Sequence, residues 1–194
     1  MGFPEDSKQF VRAGEEQKCA RWTQIFGRDY DFAGQTARSG GPLTAAACGD
    51  ELIACYQRVC GLFQPSGAAG GVGLRPNGVL LNWYDGGQHY IGAHSDDESQ
   101  LVPGAPIVSV SWGARRRFRM IPKKPKPPKA AAAAAKQRRE KLEVELGDGD
   151  LLIMGGSCQK THKHEVPKTA RMVGKRINAT FRCFRAAEPP ASSG

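Results

Sequence analysis

The stretch Arg-Ile-Asn-Ala-Thr-Phe-Arg at residues 176–182 alternates strictly between polar and apolar side chains. In an extended strand successive side chains point to opposite faces. Ile177, Ala179 and Phe181 therefore share one face, and Arg176, Asn178, Thr180 and Arg182 share the other. The apolar face must pack. The polar face carries two guanidinium groups and an amide, and burying charge without a partner is costly. A fold that turns this face inward has to offer it an anion; a fold that leaves it at a sheet edge makes it an ordinary wetted surface. In a straight strand Arg176 and Arg182 lie about 20 Å apart at Cα. Strand curvature and two long side chains would close that gap around a small dicarboxylate.

The rest of the C-terminal half reads the same way. Val79–Tyr84 is a strand, with Asn82 and Tyr84 on one face and Trp83 on the other, followed by the turn signal Asp85-Gly86-Gly87. Residues 88–94, 106–112, 116–120, 141–146 and 150–154 have strand character, Leu142, Val144 and Leu146 falling on one face. Many short strands separated by turns predict a mainly β fold, a sandwich or jelly roll. The N-terminal part differs. A short helix is expected near Glu15–Phe26. A second helix is expected over 50–63, where Leu52, Tyr56, Val59 and Phe63 have helical spacing behind Asp50 as N-cap. Residues 64–78 are a glycine- and proline-rich loop.

With 40% hydrophobic and 24% charged residues in 194, the chain can bury a core of its own. Its longest alanine run, Ala130–Ala135, is too short to span a membrane. Nothing at the N-terminus reads as a signal peptide. The six cysteines lack CxxC spacing, which argues against a cysteine zinc site and for a reducing compartment. The expected location is intracellular, nucleus or cytoplasm with the nucleus slightly favoured, with no membrane partner; the sequence leaves the oligomeric state open and favours a monomer.

The net charge of +9 is localised. Arg115–Lys141 holds twelve Lys or Arg and one acid, Glu140; the remainder has sixteen basic and eighteen acidic residues. A basic stripe suits a polyanion, because phosphate contacts dominate nucleic-acid affinity. It equally suits a solvated insertion, and the segment 122–139, rich in Pro, Ala and Lys, reads as low complexity between two strands.

The metal chemistry starts from Gly-Ala-His-Ser-Asp-Asp-Glu at 92–98. His94 and Asp96 are two residues apart and converge if the strand continues through Asp96. His162 and His164 follow about seventy residues later. Two histidines and one carboxylate form the facial triad of non-haem Fe(II) oxygenases, which leaves positions open for cosubstrate and O2. Asn82 and Tyr84, aimed at the same pocket as the arginines, would complete hydrogen bonds to a carboxylate.

Together, Asn-Trp-Tyr-Asp-Gly-Gly (82–87), the HxD at 94–96, the histidine before Glu-Val-Pro (165–167) and Arg176–Arg182 resemble the AlkB family of Fe(II)/2-oxoglutarate dioxygenases, over roughly 79–184. The resemblance implies a double-stranded β-helix (jelly roll) core flanked by N-terminal helices. It divides the chain into a diverged N-terminal helical and lid extension (1–78), a dioxygenase core (79–184) with the insertion at 122–139, and a flexible tail (185–194). It implies His94, Asp96 and His164 as Fe(II) ligands, with His162 not a ligand. Arg176, Tyr84 and Asn178 would hold the far carboxylate of 2-oxoglutarate, and Arg182 and Asn82 its chelating end. Glu98 resembles an acid beside the substrate base, and Phe32 or Tyr30 falls where a stacking aromatic is expected. The implied activity is oxidative removal of N-alkyl groups from nucleic-acid bases of the 1-methyladenine or 3-methylcytosine type, in DNA or RNA, using Fe(II), 2-oxoglutarate and O2. A base in a duplex would have to be flipped out.

Overall fold

The alternating stretch at 176–182 becomes the middle strand of a five-stranded antiparallel sheet. The computed structural model describes residues 10–12, 15–17, 21–32, 35–63, 74–123 and 140–186. The loop at 64–73, the basic segment at 124–139 and the tail at 187–194 lie outside the described residues.

In chain order the strands are β1 (Phe10–Arg12), β2 (Glu15–Gln17), β3 (Trp22–Phe26), β4 (Tyr30–Phe32), β5 (Gln35–Ala37), β6 (Gly78–Asp85) and β7 (Ile91–His94). They continue as β8 (Ile107–Gly113), β9 (Arg116–Pro122), β10 (Leu142–Leu146), β11 (Leu151–Met154), β12 (His162–Val166) and β13 (Lys175–Arg182). The helices are α1 (Ala45–Cys48), α2 (Asp50–Gly61) and α3 (Cys158–Thr161). The major sheet runs β11-β8-β13-β6-β3 and the minor sheet β10-β9-β12-β7; β1-β2 and β4-β5 are separate hairpins.

The two sheets face each other as a jelly roll does. Tyr84 and Ile107 from the major sheet meet Phe118, Leu146 and Val166 from the minor one in a buried cluster. On its outer face the major sheet presents Val108, Val110, Ala179 and Phe181 to Leu52 and Val59 of α2. Burying a side chain of this size contributes about 1.5–3 kcal/mol, so α2 is held by the sheet rather than by helix propensity alone. The alternation in β13 is thus used on both sides: Phe181 and Ala179 are fully buried under α2, and the polar residues turn inward between the sheets.

Three expectations change. The helix expected near Glu15–Phe26 is instead strand: β3 pairs with β6 from Trp22↔Trp83 to Phe26↔Val79. Ile25 is 1% exposed there; edge pairing and burial outweigh local helical spacing. The helix at 50–63 forms, but Gly49, at φ 85°, is its N-cap, and Asp50 is the first helical residue. Only glycine takes that φ cheaply, and the chain needs it to stop α1 and start α2 with this single residue between them. The strand expected from residue 88 begins only at Ile91, because His89 turns back to accept from the Asp85 N–H (3.1 Å).

Part of the basic stripe also has internal employment. Arg116 is buried and donates to the carbonyls of Gly86, His89 and Pro167 at 2.8–2.9 Å. Arg117 and Arg119 pair with Glu143 on β10, and Arg119 also with Glu165 on β12. Arg116, Arg117 and Arg119 are therefore committed within the fold.

Candidate metal centre and cosubstrate pocket

The register of the minor sheet puts His164 of β12 directly opposite His94 of β7. Both Nε2 atoms approach Asp96: His94 lies 3.6 Å from Oδ1 and His164 4.0 Å from Oδ2. One donor atom from each of the three lies within 4.8 Å of the other two, a grouping that could hold a metal ion. The route differs from simple strand alternation. β7 ends at His94, so Asp96 sits on a loop, and its approach to the histidines is a property of that loop.

The protonation states suit a metal. Burial keeps the His164 imidazole neutral, pulling its pKa down to about 4, and it lowers His94 as well against the pull of Asp96. Burial by itself would raise the Asp96 carboxyl; the Arg182 guanidinium and the two imidazoles outweigh it and hold the group below its ordinary value. Neutral imidazoles and a carboxylate are the forms that ligate. His94 Nδ1 is 2.9 Å from the Gly92 carbonyl, which fixes the tautomer with Nε2 free for the centre. Phe118 stacks on the His164 ring, with centroids 5.6 Å apart. His162 points elsewhere, its Nδ1 2.8 Å from the Thr161 hydroxyl.

Beside the triad lies a cavity lined by the polar face of β13 together with Asn82 and Tyr84. The four β13 residues behave differently. Arg182 is engaged: Nη2 and Nε donate to Asp96 Oδ2 at 2.8 and 3.2 Å. Asn178 is also committed, donating to Ser109 Oγ (2.7 Å) and the Val110 carbonyl and accepting from Thr180. Arg176 is 2% exposed, donates through Nη2 to Ser111 Oγ (2.9 Å) and lies over the Tyr84 ring at 5.1 Å. Its Nε and Nη1 are buried and without a partner, and among the described residues no carboxylate pairs with it. Burial works against its charged form. A buried guanidinium with two free donors is a receptor for a carboxylate. The donor set therefore fits 2-oxoglutarate at Arg176 as the triad fits Fe(II).

The substrate side is assembled from further apart. Glu98 lines the same cavity; burial raises its carboxyl, and its Oε2 has no partner. Tyr30 is 2% exposed, edge-on to Phe184 with Arg182 over its ring. Phe32 is in β4, its side chain outside the described residues. Asn82 Oδ1 accepts from Arg21 Nε at 2.7 Å. Arg21 and Ser109 line the cavity, and Ser111 accepts from Arg176 behind it; none of the three is among the residues expected from the sequence. The serines had a signal: residues 108–111 alternate, and Ser109 and Ser111 share the face opposite Val108 and Val110. Arg21 had none: it stands just before β3, in a stretch whose spacing suggests a helix, and its partner Asn82 is 61 positions away.

The family model of the 2OG-Fe(II) oxygenase superfamily matches residues 15–182. The chain belongs to this superfamily. Its members use Fe(II), 2-oxoglutarate and O2, which are the groups the triad and Arg176 fit. Within the superfamily the likeness is to AlkB proteins. Human DNA oxidative demethylase ALKBH2 is 36% identical over 114 residues, covering 59% of this chain and 42% of that protein. The Arabidopsis thaliana protein of that name is 37% identical over 120 residues, 57% of this chain and 38% of that one. Human alpha-ketoglutarate-dependent dioxygenase alkB homolog 3 is 38% identical over 106 residues, 55% of this chain and 36% of that one. The chain thus spans about two fifths of the length of these relatives. A solved structure titled "The structure of OsALKBH1" superposes with TM-score 0.51 at 19% identity, over 91% of this chain and 84% of that one, and shares the fold. Among the described residues no helix is long and apolar enough to cross a membrane.

Proposed function

We propose that this oxygenase removes N-alkyl groups from nucleic-acid bases of the 1-methyladenine or 3-methylcytosine type. The observation that carries the reading is the pairing of a His-Asp-His cluster with a buried, half-unpartnered Arg176 in one cavity. The similarity to DNA oxidative demethylases supports the choice of substrate.

In this reading His94, Asp96 and His164 hold Fe(II). Arg176 and Tyr84 hold the far carboxylate of 2-oxoglutarate, and the neighbouring Asn178 and Asn82 shape its pocket. When bound, Fe(II) with 2-oxoglutarate and O2 supplies the oxidising power that hydroxylates an N-alkyl carbon, after which the alkyl group leaves as an aldehyde. The remaining work belongs to the chain. Arg182 keeps Asp96 ionised. Glu98, with one carboxylate oxygen unpartnered, faces the base and offers an acceptor to its exocyclic amino group. Tyr30, which lines the cavity, borders the base. The cationic segment 124–139 contributes phosphate contacts and strengthens binding at low salt. Five free cysteines among the described residues suit a reducing compartment, nucleus or cytoplasm.

The test is succinate release from 2-oxoglutarate with Fe(II), with and without a methylated oligonucleotide. Turnover coupled to formaldehyde and to the unmodified base is expected. Turnover that no methylated oligonucleotide stimulates points to a protein or lipid substrate, and no turnover at all to a binding module.

A further inference from the structure

We propose that Gln159 is a positioning residue for the metal centre, locked in place by Lys123. This rests on the reading that His94, Asp96 and His164 hold a metal ion.

The need arises because β7 ends at His94, so no sheet ladder fixes Asp96. Arg182 secures the carboxylate, at Oδ2. The backbone is secured from α3. The Asp96 N–H donates to Gln159 Oε1 at 3.0 Å, across 63 positions of sequence. The Gln159 amide is oriented by its other end, where Nε2 donates to Met154 Sδ at 3.6 Å, leaving Oε1 for Asp96. Lys123 ties the assembly together. Its Nζ donates to the Gln159 carbonyl (2.7 Å) and to the Asp97 carboxylate (3.0 Å), and its N–H donates to the Thr161 carbonyl (2.8 Å). One residue before Asp96, the Ser95 hydroxyl donates to the His162 carbonyl at 2.8 Å.

Residues 95–97 are therefore bound at three successive positions to α3, to the end of β9 and to the start of β12. β12 is the strand that delivers His164. Asp96 and His164, ligands from distant stretches of the sequence, thereby become one unit, and the brace sits at the root of the basic segment 124–139. A ligand carboxylate on an unbraced loop would have to be ordered by the metal, at the expense of affinity.

The experiment is an anaerobic Mn(II) titration followed by the electron paramagnetic resonance of free Mn(II), without cosubstrate. It uses the full chain and the variants Gln159→Leu, Gln159→Glu and Lys123→Met. Gln159→Leu removes the acceptor at similar size and is expected to weaken Mn(II) by about tenfold, the usual effect of losing a partner that orients a ligand. Gln159→Glu keeps an acceptor oxygen and should bind within about threefold of the parent, Lys123→Met falling between the two. A packing role would move the unfolding midpoint of the metal-free protein and leave this order of affinities flat. Equal Mn(II) affinity in Gln159→Leu and the parent overturns the proposal, as does equal weakening in Gln159→Leu and Gln159→Glu. If Gln159→Leu does not fold, parent-like affinity in Lys123→Met overturns it instead. Failure of the parent to bind Mn(II) would overturn the metal centre itself; parent binding that His94→Ala loses leaves the centre standing and puts only the brace on trial.

Discussion

Replacing Arg176 by methionine should push stability and cosubstrate binding in opposite directions. In the protein without cosubstrate the guanidinium is buried with Nε and Nη1 unpartnered and Ser111 and Tyr84 as its polar company. Removing a charge in that condition costs little and relieves a desolvation penalty. Replacing a whole buried ion pair by apolar side chains is often neutral or stabilising by about 1–4 kcal/mol, and removing Arg176 strands no carboxylate among the described residues. The unfolding midpoint of the cosubstrate-free variant is therefore expected at or above that of the parent. For 2-oxoglutarate the sign reverses. Two charge-assisted hydrogen bonds at about 1.5–3 kcal/mol each are lost, so affinity should fall on the order of 10²-fold or more. With Mn(II) present and O2 excluded, 2-oxoglutarate at a hundred times the parent's dissociation constant stabilises the parent by about 2.7 kcal/mol. That amounts to roughly 5–11 °C for a chain of this length. The variant at the same concentration should gain only about 1 °C. Differential scanning fluorimetry reads both numbers. A variant that melts more than about 5 °C below the parent without cosubstrate would make Arg176 a structural strut. A full 2-oxoglutarate shift in the variant would remove it from the cosubstrate site.

Arg182→Met should behave differently from Arg176→Met, because it strands the buried Asp96 carboxylate. A loss of about 3–5 kcal/mol is expected in urea unfolding of the metal-free protein. His94→Ala and Asp96→Ala should abolish succinate release, whereas His162→Ala should keep most of it; the reverse pattern for His162 and His164 would mean the wrong histidine has been chosen. Stability of the metal-free protein should fall as pH drops from about 6.5 toward 4. Over that window the unfolded His164 takes a proton that the folded one, at about 4, refuses; urea midpoints should lose part of this slope in His164→Ala. Gly113→Ala should destabilise by at least about 1–3 kcal/mol in the same assay, since Gly113 has φ 81° and an added Cβ would lie 2.5 Å from the Lys175 carbonyl oxygen. Deleting 124–139, with Lys123 retained, should weaken oligonucleotide binding and flatten its salt dependence, as titrations at several salt concentrations would reveal.

The site was legible wherever its chemistry follows strand alternation. Asn82, Tyr84 and the polar face of 176–182 were readable because period two fixes which side chains share a face, whatever the rest of the chain does. Arg21 and Gln159 were not, because both act through contacts more than sixty residues distant that leave no local period. The basic stripe was half legible: the charges were countable, but their partners Glu143 and Glu165 are cross-strand neighbours that only pairing supplies.

By itself the sequence determined the two faces of β6 and β13, the donor types available and the excess of positive charge, since these depend only on residue identity and backbone geometry. Tertiary structure alone decided which arginine is engaged by a carboxylate and which is left waiting for one. Arg176 and Arg182 are chemically identical and lie on the same face of one strand. Only the loop that brings Asp96 to Arg182, and the neutral Ser111 hydroxyl that Arg176 meets instead of a carboxylate, make one a fixed partner of the metal ligand and the other a buried charge with free donors.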